Sequence, residues 1–260
     1  MMFSELFVRT VRLSGELPEG SYLRDLPVVK NLKAMGELRL NKRVTFLVGE
    51  NGIGKSTLME AIAVNLGFNP EGGTINFNFS TEDSHSELYK HITVGKGIGQ
   101  RRDGFFLRAE SFYNVASNID QLDRSGGFGP RVIDSYGGVS LHKQSHGESF
   151  MSLVENRFGG NGLYLLDEPE AALSPSRILQ LMCHINDLEQ MNSQFIISTH
   201  SPILMGYPGA DVLYLTQDAI RSVPFRETEH YQITKQFLDA PERMYRYLFN
   251  QNQEDKDEYL

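Results

Sequence analysis

One stretch of the chain combines glycines, a lysine and two hydroxyls at the spacing that phosphate binding requires. The pattern G-x-x-x-x-G-K-[ST] is satisfied by Gly49, Glu50, Asn51, Gly52, Ile53, Gly54, Lys55, Ser56 and Thr57. The glycines let backbone N–H groups face phosphate oxygens, and the dipole of a following helix adds partial positive charge. Lys55 is predicted to reach the β- and γ-phosphates, and the Ser56 hydroxyl to bind Mg²⁺.

A second group of candidate residues is a pair of adjacent carboxylates after an apolar run. Residues 163–166 read as a buried strand, and Asp167 and Glu168 follow directly. Asp167 is predicted to bind the Mg²⁺ that bridges the phosphates, and Glu168 to polarise the attacking water. An acidic turn after a strand is the alternative interpretation, and the phosphate-binding pattern upstream makes it the weaker one.

A third candidate is His200, which follows the apolar run at residues 195–197. A single histidine after a strand is often a surface or capping residue. At the same sheet edge as the other candidates, His200 would hydrogen-bond the γ-phosphate or the attacking water, and would therefore respond to the presence of that phosphate.

The elements that position these residues alternate between strands and helices. An apolar strand at residues 44–48 precedes the phosphate loop, a helix follows it, and later strands are predicted at 163–166, 195–198 and 211–216. This order predicts an α/β fold with a largely parallel sheet and a ligand at its carboxyl edge. Alternating apolar residues at 3–13, and at Ile75, Phe77 and Phe79, predict antiparallel strands beside it.

Several other segments carry weaker signals. Turn residues suggest irregular connections over 14–34, and no helical period is sustained over 119–144. A closing helix, interrupted or restarted at Pro241, is predicted within 228–249. The Gly-rich stretch 93–104 carries Lys96, Arg101 and Arg102. A solvated hairpin or loop is favoured there over a contact to phosphate.

Composition limits the class of protein. The 260 residues carry a formal net charge of −8 and are 40% hydrophobic, typical of one globular domain, placed at residues 1–250 and followed by an acidic tail at 251–260. No apolar run reaches the ~20 residues of a membrane span, and no signal peptide is recognised. Cys183 is the only cysteine, so a cytoplasmic location is expected, with Cys183 buried in a helix at 176–190.

The order of these motifs resembles that of the ATP-binding cassette (ABC) ATPases. Between the phosphate loop and Asp167 lies Ser145-His146-Gly147-Glu148, similar to the family's signature, with His146 in place of its usual first glycine. The segments Asp167–Pro175 and Ser198–Pro202 look more like the branch containing SMC, Rad50, RecF and overcoming-lysogenisation-defect (OLD) ATPases. The chain thus resembles a stand-alone predicted ATPase of the AAA-annotated ABC type over about residues 36–216.

This resemblance implies a P-loop NTPase fold, an ABC-ATPase head with an antiparallel β flank and a small helical lobe at about 111–158. It implies ATP and Mg²⁺ as ligands and an ATP-dependent homodimer in which Ser145 and Gly147 complete the partner's nucleotide site. Glu110 stands where the family has a hinge glutamine that contacts Mg²⁺, with Gln100 as a second candidate. Ser174 and Pro175 stand at the family's dimer-contacting loop or, equally, begin the next helix.

Three functions remain open on the sequence alone. The first is a cytosolic ATPase whose dimerisation switches a protein effector, in DNA maintenance or phage defence, with only weak nucleic-acid binding of its own and no membrane partner. The second is the nucleotide-binding subunit of an ABC transporter. The third is a non-enzymatic ATP-binding module, which the presence of Glu168 disfavours.

Overall fold

The computed structural model describes residues 6–74, 86–124 and 131–249. Its strands are β1 (Val8–Leu13), β2 (Leu38–Arg39), β3 (Val44–Val48), β4 (Ile92–Lys96), β5 (Asp103–Arg108), β6 (Gly162–Asp167), β7 (Gln194–Ser198), β8 (Asp211–Leu215) and β9 (Ile220–Ser222). Its helices are α1 (Pro27–Met35), α2 (Lys55–Asn65), α3 (Phe112–Arg124), α4 (His146–Arg157), α5 (Pro175–Gln190), α6 (Pro202–Met205), α7 (Glu229–Asp239) and α8 (Pro241–Phe249).

The central layer is a six-stranded sheet in the order β5-β6-β7-β3-β8-β9. Every pair in it is parallel except β8 with β9. Strands β3, β6 and β7 are buried along their whole length, as parallel strands covered on both faces must be. The fold is therefore the predicted α/β, P-loop NTPase type, and the carboxyl ends of β6, β7 and β3 meet at one edge.

An antiparallel flank of three strands, β2-β1-β4, lies beside this sheet, as predicted. One of its strands, β4 at Ile92–Lys96, overlaps the stretch 93–104 that was expected to be a solvated hairpin or loop. The strand predicted at Ile75, Phe77 and Phe79 lies outside the described residues.

The side chain of Gln194 joins the flank to the central sheet. At the start of β7, its Oε1 accepts hydrogen bonds from the backbone N–H groups of Phe7 and Val8 at 2.8 and 2.9 Å. Its Nε2 donates to the carbonyl of Val8 at 2.8 Å. Gln194 is fully buried, so its amide takes the place of a peptide group in a strand ladder.

Two expectations about helices were wrong. The segment 14–34, expected to be irregular, contains most of α1, whose first residue is Pro27. A proline at that position lacks only an N–H that a helix leaves unpaired anyway, so it starts a helix rather than breaking one. Helix α3 also continues to Arg124, inside the 119–144 segment where no sustained helical period was recognised.

Helices α3 and α4 lie in the segment between β5 and β6. They contact each other through Phe112 and Phe150, whose ring centroids are 5.9 Å apart. Short 3₁₀ turns at Val132–Tyr136 and Leu141–Lys143 lie between them. The extent predicted for the helical lobe, 111–158, remains a prediction.

Helix α5 follows the predicted apolar spacing, but Cys183 is exposed, not buried. The buried face of α5 consists of Ile178, Leu181, Ile185 and Leu188. Cys183 is two residues from Leu181, about 200° around the helix, and therefore faces away from the core.

Helices α7 and α8 are separated at Pro241, where the closing helix was predicted to break. Neither contains a buried residue. No helix within the described ranges has both the length and the apolar composition that crossing a bilayer demands.

Candidate nucleotide-binding site

The phosphate loop connects β3 to α2 and depends on two of its glycines for close approach. Gly49 and Gly54 have φ values of +155° and +98°. A Cβ at Gly49 would lie 2.3 Å from the carbonyl oxygen of Leu215, and one at Gly54 would lie 2.5 Å from Cγ1 of Val28. Side chains are therefore excluded at both positions, and the loop keeps its backbone exposed for an anion.

Lys55 begins α2 and folds back over this loop. Its Nζ donates to the carbonyl oxygens of Gly49 at 2.8 Å and Glu50 at 3.0 Å. Burial lowers the pKa of Lys55, while the carboxylates of Glu168, Asp167 and Glu170 act against that shift. The carboxylates favour the charged ammonium, and its neutral carbonyl partners can be exchanged for the oxygens of an anionic ligand.

Asp167 ends β6 with its carboxylate beside the phosphate loop. Its Oδ1 accepts a hydrogen bond from the Ser56 hydroxyl at 3.2 Å, and its Oδ2 lies 3.6 Å from Nε of Arg108. Burial raises the pKa of Asp167 to about 6, although Arg108 and Ser56 favour the charged form. The carboxylate is thus under-compensated without a ligand.

These neighbours fit a magnesium ion. Mg²⁺ prefers a hydroxyl and one or two carboxylates, with the remaining ligands taken from phosphates and water. Ser56 and Asp167 supply such oxygens 3.2 Å apart, and the under-compensated carboxylate favours a cation. A shallow pocket of about 200 Å³ lies here, lined by residues of the phosphate loop together with Leu26 and Glu168.

Glu168 and His200 meet at the same edge. Glu168 adopts the left-handed conformation, with φ 50° and ψ 52°, which turns it away from the strand direction just after β6. Its Oε1 lies 3.5 Å from Nε2 of His200, which follows β7. The structure therefore brings together Lys55, Ser56, Asp167, Glu168 and His200 at the ends of three neighbouring strands.

Sequence reasoning missed three residues of this site, namely Arg108, Glu170 and His230. Arg108, at the end of β5, donates to Glu60 at 2.8 Å and contacts Asp167. Its signal was a charge ending a buried strand, the same signal that identified Asp167.

Glu170 lies two residues beyond Glu168 and accepts a hydrogen bond from the backbone N–H of His200. Burial raises the pKa of Glu170. The hydrogen bond fixes the chain at His200 relative to the segment that carries Glu168. No spacing rule identified this residue.

Ser145 and Gly147 are placed at the start of α4, away from the lining of the phosphate-loop pocket. Ser145 is exposed and forms a capping box with Glu148: its hydroxyl donates to the Glu148 carboxylate at 2.7 Å and accepts from the Glu148 N–H at 3.4 Å. A Cβ on Gly147 would lie 3.2 Å from the carbonyl oxygen of Ala172, so α4 packs closely on the turn after Glu168.

The two candidates for the hinge residue lie in different places. Glu110 follows β5 at the site edge, 3.6 Å from Arg108, but its side chain is 84% exposed. Gln100 precedes β5, and its carbonyl accepts from Asn161 before β6. Because these parallel strands start at the opposite edge of the sheet, Gln100 is far from the phosphate loop.

The basic residues of 93–104 do not form a cluster at the site. Lys96 ends β4 in the flank. The Arg101 guanidinium stacks over the Phe68 ring at 4.6 Å and donates to the Leu66 carbonyl at 2.7 Å. Arg101 is therefore engaged in packing, whereas Lys96 and Arg102 are exposed.

Two family models match separate parts of the chain. "AAA domain" matches residues 29–121, which include the phosphate loop. "AAA domain, putative AbiEii toxin, Type IV TA system" matches residues 139–206, which include Ser145, Asp167, Glu168 and His200. These matches confirm the resemblance to AAA-annotated ATPases and support a nucleotide-binding ATPase domain.

The chain is also similar to individual proteins, at sequence identities below 25%. An "Uncharacterized ABC transporter ATP-binding protein" of Haemophilus influenzae is 24% identical over 188 residues, 67% of this chain and 70% of that protein. The structure of cbiO1 from Clostridium perfringens, part of the ABC transporter complex cbiONQ, is 18% identical, with 91% of this chain and 97% of that one covered and a TM-score of 0.48. The SMC head domain from Thermotoga maritima is 16% identical, with 84% and 99% covered and a TM-score of 0.43.

Proposed function

We propose that this chain is a cytosolic ATPase that binds ATP with Mg²⁺, dimerises on it, and uses hydrolysis to switch a protein effector. The observation that carries the proposal is the convergence of Lys55, Ser56, Asp167, Glu168 and His200 at one sheet edge. A simple binding module needs the phosphate loop but not Glu168, whose carboxylate lies 3.5 Å from Nε2 of His200.

Each residue has a role that follows from its chemistry. Lys55 exchanges its backbone carbonyl partners for phosphate oxygens and offsets their charge. Ser56 and Asp167 would hold Mg²⁺, which supplies charge stabilisation to the phosphates. Glu168 orients and polarises a water for in-line attack, and His200 donates a hydrogen bond to the γ-phosphate.

The dimer is proposed because Ser145 and Gly147 do not line their own chain's pocket. The exposed start of a helix has backbone N–H groups that can donate hydrogen bonds to an anion. In a two-fold symmetric dimer, the start of α4 would lie beside the partner's phosphates. The Ser145 hydroxyl would first have to leave Glu148, its present acceptor. ATP would then hold two heads together, and hydrolysis would release them.

The proposed role in phage defence or DNA maintenance is argued from one family model and from the net charge. The family model at residues 139–206 is described as a "putative AbiEii toxin, Type IV TA system", and a defence role is the one consistent with that description. The net charge of −8 predicts weak, salt-sensitive nucleic-acid binding by the chain alone. The effector or DNA contact would therefore come from a partner.

The test is a Glu168→Gln variant, with Glu19→Gln on an exposed turn as control. Glu168→Gln should bind ATP but turn over at least about 10²-fold more slowly, since a positioned base contributes about 10²–10⁴-fold. It should sediment as a dimer with ATP, and as a monomer without. A Glu168→Gln protein that binds ATP and stays monomeric at high concentration would refute the dimer, and undiminished turnover would refute the role of Glu168.

The alternative is a nucleotide-binding subunit of an ABC transporter, which the name of the Haemophilus influenzae relative favours. Affinity purification of Glu168→Gln from the native cell distinguishes the two. Recovery of an integral membrane permease would support the transporter. Recovery of a partner without membrane spans would support the effector switch.

A further inference from the structure

Two histidines from distant parts of the chain form one hydrogen-bonded pair beside Glu168. Nδ1 of His200 lies 2.9 Å from Nε2 of His230, and the ring centroids are 5.0 Å apart. His200 follows β7, whereas His230 lies in the first turn of α7. Both side chains are partly buried, so this contact does not compete freely with water.

The surroundings select one direction for this hydrogen bond. Nε2 of His200 lies 3.5 Å from the Glu168 carboxylate and is buried without a hydrogen-bond partner among the described residues. A lone pair there would face a negative charge, whereas an N–H is attracted to it. His200 therefore carries its proton on Nε2. Its Nδ1 must then accept, and Nε2 of His230 is the donor.

The charge state of the pair agrees with this arrangement. Burial lowers the pKa of both imidazoles, and the nearby Lys55 ammonium lowers it further. Both rings are thus neutral near pH 7, and a neutral ring has one donor and one acceptor. Nδ1 of His230, the remaining acceptor, is buried without a partner in the described part of the chain.

We propose that His230 is a positioning residue for His200: its Nε2–H fixes the His200 ring with its own Nε2–H directed toward Glu168 and the γ-phosphate position. This inference rests on the proposed ATPase function and adds to it a link from α7 to the nucleotide site.

The start of α7, which carries His230, is anchored to the rest of the fold. Thr228, the residue before the helix, is fully buried and accepts a hydrogen bond from the Tyr231 N–H at 3.4 Å. Its hydroxyl also donates to the Phe225 carbonyl at 2.6 Å. Beyond this anchored turn, α7 and α8 contain no buried residue. Displacing the helical pair would therefore move His230 before it disturbed the core.

The experiment compares His230→Leu with His230→Gln, whose amide N–H can replace the lost donor. His230→Leu should lower kcat about tenfold with little change in KM for ATP, and His230→Gln should recover most of that loss. Gln236→Leu, an exposed change on the same helix, should leave kcat unaltered. Because His230 acts through His200, adding His230→Leu to His200→Ala should cause no further loss.

A spectroscopic readout separates this inference from the proposed function. Nitrogen-15 NMR of the nucleotide-free protein should show His200 protonated on Nε2 in the wild type, and a mixture of tautomers in His230→Leu. Unchanged kcat in His230→Leu, additive losses in the double variant, or a wild-type His200 protonated on Nδ1 would overturn the positioning role. A wild type that has this tautomer but does not hydrolyse ATP would instead refute the ATPase proposal.

Discussion

Replacing Asp167 with asparagine should stabilise the nucleotide-free protein while weakening its binding of ATP with Mg²⁺. Asp167 is only 5% exposed, and burial raises its pKa from 3.8 to about 6 despite Arg108 and Ser56. The folded state thus disfavours the charged carboxylate. Asparagine has nearly the same shape, keeps an oxygen for the Ser56 hydroxyl, and carries no charge to desolvate.

The size of the expected stabilisation follows from the difference in the pKa of Asp167 between the folded and unfolded states. A raised pKa means that this group stabilises the fold below pH 3.8, and that this contribution is lost as pH rises through about 6. Near pH 7 the penalty is about 3 kcal/mol, and near pH 5, where the folded carboxyl is mostly protonated, it is about half as large. For a chain of this size the larger value corresponds to a rise in Tm of about 6–12 °C.

Urea unfolding of wild type and Asp167→Asn at the two pH values measures both penalties. Asp187→Asn, an exposed change on α5, should show no comparable gain. Adding ATP with Mg²⁺ should raise the Tm of the wild type more than that of Asp167→Asn, because the variant offers a weaker ligand to the cation. An Asp167→Asn protein less stable than wild type near pH 7 would mean that the attraction of Arg108 outweighs burial.

Three further predictions concern the loop and the dimer. Lys55→Ala should fold normally but bind ATP about 10- to 100-fold more weakly in calorimetry, since hydrogen bonds to charged groups contribute about 1.5–3 kcal/mol. An unchanged affinity for ATP would refute the assignment of the phosphate loop. Ser145→Arg and Lys55→Ala should each hydrolyse little ATP alone but regain activity when mixed, and additive rates in mixtures that exchange subunits would exclude a shared site. In Gly49→Ala the new Cβ would lie 2.3 Å from the Leu215 carbonyl oxygen, and the free energy of unfolding should fall by more than about 2 kcal/mol. Gly52→Ala, where the Cβ would enter open space, should lose only about 1 kcal/mol. Equal losses of the two variants in urea unfolding would contradict this.

The parallel sheet and its motif residues were predictable because each signal is local. A buried strand followed by Asp167 and Glu168, or by His200, reads directly from neighbouring residues, and parallel strands bring their carboxyl ends together without further information. The same reasoning predicted that the closing helix is interrupted or restarted at Pro241, which is the first residue of α8. It failed at Pro27, which also starts a helix, because the nearby turn residues Gly15, Pro18 and Gly20 made the whole segment read as irregular.

Contacts between distant segments were not predictable. β4 pairs with β1 across about eighty residues of chain, and its glycine and lysine read locally as a hairpin or loop. His230 reaches His200 only because Thr228 anchors α7 near the end of β7. Arg108 had the right local signal, but its partners, Glu60 and Asp167, come from two other elements. Such pairings depend on tertiary packing, which no spacing rule encodes.

The Gln194 amide has a mechanical consequence. At one end of β7 it binds the backbone of Phe7 and Val8, where β1 starts, and His200 follows the other end of β7. An extended strand is stiff along its length, and this one spans about 20 Å from Gln194 to His200. Pulling the flank away would leave buried N–H and C=O groups unpaired at Gln194, so the flank moves with β7. A force applied to the flank is therefore transmitted through β7 to His200 at the nucleotide site.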